Sequence, residues 1–319
     1  MFCYRLVNRV ISMRRALISL SVCVFAVVPL QGRAQTAWTP FRAMSFVRGD
    51  RIIRLAMIFV PVHLHGVTGD GWMQLDLGSR TSIIYGKTIE RIAGAAFPLN
   101  RRKGEVTIAG RVGSYRFADE TAIVYRDLDE GDIGGKPVYG EIGASFFIRR
   151  ILALDFVRDR FVIANSKTEL PSQAHGAAAT QLVFPEAGPY RNRVLVPVVL
   201  RGVAYRNVMY DTGSSGFVLV LTHSAWQIGT GRSEYDRRNV VIDVPAFGQM
   251  VTMVGAPMLG AMRIGAVTIT DPFVYAIRNN PSGAERVSPE EGILGNGAFS
   301  GCIVVVDIPD GIFGVKRLR

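Results

Sequence analysis

An internal repeat constrains this chain more than any single motif does. The segment VPVHLHGV that starts at Val60 matches VPVVLRGV, starting at Val196, at six of eight positions. Each copy leads into an aspartate followed by a Gly-Ser pair, Asp76-Leu77-Gly78-Ser79 in the first and Asp211-Thr212-Gly213-Ser214 in the second. Further along, a constant spacing of 152 residues relates Gly113 to Gly265, Gly143 to Gly295, Phe147 to Phe299, Asp155 to Asp307 and Phe161 to Phe313. The second copy carries 17 additional residues between Ser214 and Ile264. Two copies of one unit call for two similar substructures, so the two aspartates are expected to meet across a pseudo-twofold axis.

Local texture sets the fold class as all-β. Alternating runs such as VPVHL and IVVVDI are broken every eight to twelve residues by Gly, Pro or Asp, and no long stretch keeps a helical period. Short helical turns are expected at Ser145–Arg150 and Ser224–Ile228. The polar, small-residue segment from Ser166 to Thr180 separates the copies and predicts a linker at 168–177, with a first lobe at 35–167 and a second at 178–319.

Charge and cysteine content narrow the function classes. The net charge of +11 suggests nucleic acid until its distribution is considered: residues 1–34 hold five arginines and no acid, which leaves +6 on the remainder. Arg14 and Arg15 precede the apolar stretch Ala16–Leu30 and the small residues of Gln31-Gly32-Arg33-Ala34, the pattern of a signal peptide over 1–34. The protein is therefore expected to be exported, periplasmic or secreted, with a membrane tether as the alternative if that segment is retained. Cys3 and Cys23 fall within it, so Cys302 remains alone and an intramolecular disulfide is excluded. Cys302 lies in the apolar run CIVVVDI and is expected to be a buried small hydrophobe. No phosphate loop, dinucleotide fingerprint or helix-turn-helix is visible, and neither nucleic acid nor a cofactor is an expected partner. His63 and His65 alternate on one strand face without a third ligand nearby, so no metal site is expected. Arg48-Gly49-Asp50 and the basic run Arg101-Arg102-Lys103 are expected to be ordinary surface.

The two Asp-X-Gly-Ser loops, each followed by a Gly strand (Glu141-Ile142-Gly143 and Ile293-Leu294-Gly295), resemble those of the pepsin-like and retropepsin-like aspartic proteases. The similarity spans both halves of the chain after residue 34. It implies two pseudo-twofold-related β-barrel lobes with an active site in the cleft between them, and an exported, bacterial-type endopeptidase acting on peptide or protein substrates as a monomer. Asp76 and Asp211 would be the catalytic pair, supported by Gly78, Ser79, Gly143, Thr212, Gly213, Ser214 and Gly295. Two carboxylates within hydrogen-bond reach do not both ionise easily, so one holds a proton while the other activates water; neither metal nor cofactor is required. Gly78 and Gly213 would let the backbone pass close to the dyad. Ser79 and Ser214 would each donate a hydroxyl to the neighbouring carboxylate, which favours its ionised form and predicts an acidic optimum.

The sequence also departs from that pattern. Thr212 can make the threonine hydroxyl bond that grips the opposite lobe, whereas Leu77 cannot reciprocate. Glu141 replaces an apolar residue, and no flap tyrosine is assigned in the first copy. Flap candidates are Lys103-Gly104-Glu105 and Pro245-Ala246-Phe247-Gly248. These departures motivate an alternative function, a non-catalytic protein that binds peptides or a protein partner in the same cleft.

Overall fold

Strand-forming alternation is carried directly into burial. In Glu105–Val112 the apolar residues Val106, Ile108 and Val112 turn inward while Glu105, Thr107 and Arg111 face solvent. The continuous runs ILALD and CIVVVD are instead buried at every position, as expected for strands covered on both faces. The computed structural model describes residues 36–48, 51–93, 104–213, 216–246, 249–279 and 291–318. The expected export segment with Cys3 and Cys23, Gly49-Asp50, Arg101-Arg102-Lys103, Ser214 and Phe247-Gly248 lie outside the described residues.

The first half contains β1 (Thr39–Pro40), β2 (Arg42–Arg48), β3 (Arg51–Leu64), β4 (Gly71–Asp76), β5 (Ser82–Tyr85), α1 (Gly86–Ala93), β6 (Glu105–Val112), β7 (Tyr115–Tyr125), β8 (Asp132–Ile133), β9 (Lys136–Gly143), β10 (Ile151–Asp155) and β11 (Arg160–Ala164). The second contains β12 (Ala178–Gln181), β13 (Leu195–Leu200), β14 (Val203–Tyr210), β15 (Leu219–Leu221), α2 (His223–Thr230), β16 (Val240–Ala246), β17 (Gln249–Pro257), β18 (Met262–Ile264), β19 (Val267–Ile269), β20 (Phe273–Asn279), β21 (Gly292–Leu294), β22 (Cys302–Asp307) and β23 (Ile312–Arg317). The protein is thus mainly β. The expected turns are present as a 3-10 turn at Ala144–Phe147 and as α2, but α1 was not anticipated.

The repeat is reproduced in sheet topology. One sheet runs β2-β3-β4-β9-β5-β7-β6 and another β16-β17-β20-β15-β21-β14-β13-β18-β19. In each, the strand ending at the aspartate pairs in parallel with the Gly strand (β4 with β9, β14 with β21), which pairs antiparallel with the strand after the aspartate loop (β5, β15). The added residues of the second copy form the segment entering β16 and its hairpin with β17.

A third sheet, β1-β11-β10-β22-β23-β12, is built from both halves. In the β10–β22 pairing Ile151 lies opposite Asp307, Ala153 opposite Val305 and Asp155 opposite Ile303. Exchanging each residue for its repeat counterpart returns the same register, so the local twofold passes through the Ala153–Val305 pair. The segment expected to be a linker is packed: Leu170 and Ala174 are buried against Ile151, Val162, Ile303 and Val305. A second crossing is made by β3. Leu55, with a positive φ of 56°, breaks the strand's regularity, and Ile53 and Ala56 pack on Phe217, Val220 and Tyr275 of the second half.

The turns beside the shared sheet depend on buried aspartates. The Asp155 carboxylate, fully buried, accepts the Val157 and Arg158 N–H groups at 3.2 Å and binds Arg160 Nε at 2.9 Å. Asp155→Ala is expected to destabilise the protein by about 2–3 kcal/mol, since the turn N–H groups lose a charged acceptor; a denaturant midpoint unchanged from wild type would refute this.

Candidate active site

Each aspartate stands where its strand stops. Asp76 ends β4, and its carbonyl and Oδ1 both accept the Ser79 N–H, at 3.2 and 3.1 Å, which turns the chain sharply. Asp211 follows β14; its N–H donates to the Leu294 carbonyl at 3.0 Å and its Oδ1 accepts the Gly213 N–H at 2.7 Å. The Gly strands run beneath these loops as expected. Gly143 pairs with Asp76, and the following N–H of Ala144 donates to the Ser79 carbonyl at 2.8 Å; Gly295 donates to the Val218 carbonyl at 3.3 Å. A Cβ on Gly143 would stand 2.4 Å from the Thr81 carbonyl carbon, so no larger residue fits there without a backbone shift.

The two loops interlock through their glycines. A Cβ on Gly78 would lie 2.6 Å from Asp211 Cγ, and one on Gly213 would lie 2.3 Å from Asp76 Cγ. Each glycine is therefore packed against the carboxyl of the other copy, a reciprocal contact that any side chain would abolish. The carboxyls themselves are hydrogen-bonded to each other. The Asp76 carboxyl is held well above the usual range: burial disfavours its charge first, then the Asp211 and Glu141 carboxylates repel it, against a smaller opposing effect of the Ser79 N–H.

Thr212 clamps the pair. Its buried hydroxyl donates to the Leu75 carbonyl at 2.8 Å and accepts the Leu77 N–H at 3.0 Å, tying the second loop to the backbone on both sides of Asp76. Leu77 makes no reciprocal bond and is fully buried in the main apolar core, which contains residues of both halves. Asn296 adds a further tie, its Nδ2 donating to the Thr212 carbonyl at 3.1 Å and the Leu55 carbonyl at 3.0 Å.

The expected role of Ser79 is not realised. Its hydroxyl donates to the Thr81 carbonyl at 2.9 Å, and only its backbone N–H serves Asp76. The hydroxyl satisfies the carbonyl nearest to it within the turn, which removes the physical basis for an acidic optimum on the first-half side. Ser214 lies outside the described residues.

Several neighbours of the dyad were not anticipated. Tyr85, fully buried, donates its hydroxyl to Glu141 Oε1 at 2.8 Å, and Glu141 is in turn hydrogen-bonded to Asp76. The segment before β13 reaches over the first loop: Arg193 donates to the Gly78 carbonyl, and Arg80 Nη2 donates to the Pro189 carbonyl at 2.7 Å. Only Glu141 had a signal in sequence, as a charged residue in an apolar repeat position. Elsewhere, His63 Nδ1 lies 3.2 Å from Asp70 Oδ1 in a surface pair, and Cys302 is buried, with its thiol pushed up by that burial.

No family model matches this chain, and no curated protein does. Among solved structures, the chain is similar to basic 7S globulin from soybean (11% identity, TM-score 0.46, covering 89% of this chain and 94% of that one). It is also similar to conglutin gamma, a basic 7S globulin from lupine seeds (9% identity, TM-score 0.46, covering 88% and 95%). These findings correct the family suggested by the motifs. Neither a family model nor a curated protein places the chain among the bilobal aspartic proteases, and these two structures are basic 7S globulins. Short loops and glycines are held by geometry alone, so they can resemble a family's without the rest of the sequence doing so.

Thr212→Val removes both bonds of the hydroxyl and strands a buried N–H and carbonyl, with an expected loss of about 2–4 kcal/mol in chemical denaturation. Asp76 carries a proton in the folded protein at pH values where the unfolded chain has released it. Its contribution is therefore fully present below the ordinary carboxylate range and is lost as pH rises toward its raised folded value. Asp76→Asn should flatten this decline, so that thermal melts recorded between about pH 4 and pH 8 fall less steeply than in wild type.

Proposed function

We propose that Asp76 and Asp211 form a general acid–base pair that hydrolyses peptide bonds, making this protein an aspartic-type endopeptidase. The observation that carries the proposal is the reciprocal packing of Gly78 on the Asp211 carboxyl and Gly213 on that of Asp76, with the two carboxyls in hydrogen-bond contact. Such exact closeness between two acids is costly for a purely structural role, because each raises the energy of ionising the other. Both aspartates keep part of their surface open to solvent, as a water nucleophile requires.

In this mechanism Asp76 holds the shared proton and Asp211 is the ionised partner. Asp211 takes a proton from a water molecule as that water's oxygen attacks the scissile carbonyl carbon, and Asp76 transfers its proton to the carbonyl oxygen. Collapse of the tetrahedral intermediate then breaks the C–N bond; the amine leaves with the proton from Asp211, and the diol returns a proton to Asp76. The chain of events consumes one water and restores the starting protonation. We further propose that the two topologically equivalent sheets make up two β-barrel lobes, that peptide lies in the cleft between them, and that the exported protein acts as a monomer.

The alternative is a peptide- or protein-binding protein that uses the same residues without catalysis. It is favoured by Leu77, which leaves the clamp one-sided. Incubation of the protein with a diverse peptide library across the acid and neutral range separates the two. Cleavage should be lost by about 10³-fold or more in both Asp76→Asn and Asp211→Asn. Binding without cleavage in wild type, unchanged in either variant, would establish the alternative.

A further inference from the structure

The two aspartates occupy equivalent places in the repeat, yet beyond the Leu77–Thr212 difference their surroundings also diverge on the neighbouring strands. On β9, Glu141 lies opposite Ile83 of β5; in the second half the matching pair is Ile293 opposite Val220. Glu141 is thus the counterpart of Ile293, and Tyr85, two residues beyond Ile83, is the counterpart of Thr222. Asp76 consequently has a carboxyl and a phenol near it at positions that the second copy fills with an isoleucine and a threonine. The Tyr85 hydroxyl donates to Glu141 Oε1 at 2.8 Å, and Glu141 is hydrogen-bonded to Asp76, which is hydrogen-bonded to Asp211. Four groups form one row, Tyr85, Glu141, Asp76 and Asp211, with its outer end anchored by a fully buried aromatic ring.

We infer that Glu141 is a positioning residue that makes the dyad asymmetric: held by Tyr85, it keeps the shared proton on Asp76 and leaves Asp211 as the base. The inference rests on the dyad proposed above as the reacting pair. Its physical basis is simple. Three carboxyls in hydrogen-bonded contact cannot all be charged, and the central member, with a carboxyl on either side, is the one whose ionisation is opposed by two neighbours. Burial holds the Glu141 carboxyl above its ordinary value; the Tyr85 hydroxyl works against that burial and supports the charged form, which in turn opposes charge on Asp76. Glu130, from the segment before β8, and Asp211 also act on Glu141, and both are acidic. A symmetric dyad has no such bias and must choose its protonated member through substrate contacts.

Infrared difference spectra over a pH titration test this without a substrate, the Asp76 band being the protonated-carboxyl signal that is absent from Asp76→Asn. In Glu141→Gln, which keeps the side-chain size and an acceptor for Tyr85, that band should titrate lower by about one pH unit or more, the scale on which a neighbouring charge moves a carboxyl. Tyr85→Phe should shift it in the same direction by a smaller amount, and should add nothing in the Glu141→Gln background. Peptide cleavage, measured in the same variants, should lose its high-pH limb by the same shift. An Asp76 titration unmoved by Glu141→Gln overturns the inference; if that variant does not fold, an unmoved titration in Tyr85→Phe does so. A wild-type protein that cleaves no peptide but shows these shifts would refute the proposed activity and leave the role of Glu141 standing.

Discussion

The Thr212 hydroxyl is the contact on which the site's geometry depends. It is buried, and it bonds the backbone on both sides of Asp76, accepting from Leu77 and donating to Leu75. Because a buried donor or acceptor without a partner is expensive, the second loop can relax away from the first only by stranding these groups. The glycine contacts then become possible: with the loops held at this distance, Gly78 and Gly213 pack so close to the opposing carboxyls that no Cβ fits at either position. Asn296 extends the same tie to Leu55, where β3 departs from regular strand geometry as it passes from one half's core to the other's.

The grip is one-sided, and the remainder of the fold accounts for why that is tolerated. The Leu77 side chain contributes to an apolar core shared by both halves rather than to a hydrogen bond, and the β10–β22 pairing joins the halves a second time. Burial of a leucine side chain contributes roughly 1.5–3 kcal/mol, comparable with or greater than the net value of the hydrogen bond it replaces. The asymmetry therefore need not weaken the assembly; it changes which half supplies polar and which supplies apolar cohesion. Glu141 and Tyr85 continue the theme, giving one aspartate a polar neighbourhood that its counterpart lacks.

Much of this was legible in the chain. The duplicated unit, the pairing of Asp76 with Asp211, the glycines beneath and between the loops, and the one-sided threonine all follow from residues close in sequence or related by a fixed spacing. The Ser79 hydroxyl was misassigned because a nearby carbonyl, that of Thr81, competes for it within the turn, and local sequence does not rank the two acceptors. The family suggested by the motifs failed for a related reason: a few residues required by close backbone approach are shared more widely than a family's full sequence. The linker reading overlooked Leu170 and Ala174, two apolar residues in a polar stretch that are enough to dock it on the shared sheet.

By itself the sequence determined that one β unit is used twice and that two carboxyls belong together, because alternation, glycine placement and repeat spacing are properties of the chain read in order. Only the tertiary structure decided what surrounds those carboxyls. Glu141 reaches Asp76 because β9 runs parallel to β4 in a register set by the whole sheet, and Tyr85 meets Glu141 across 56 residues of sequence. Protonation at the site depends on distances of a few ångströms between groups remote in the chain, and those distances do not exist until the sheets have formed.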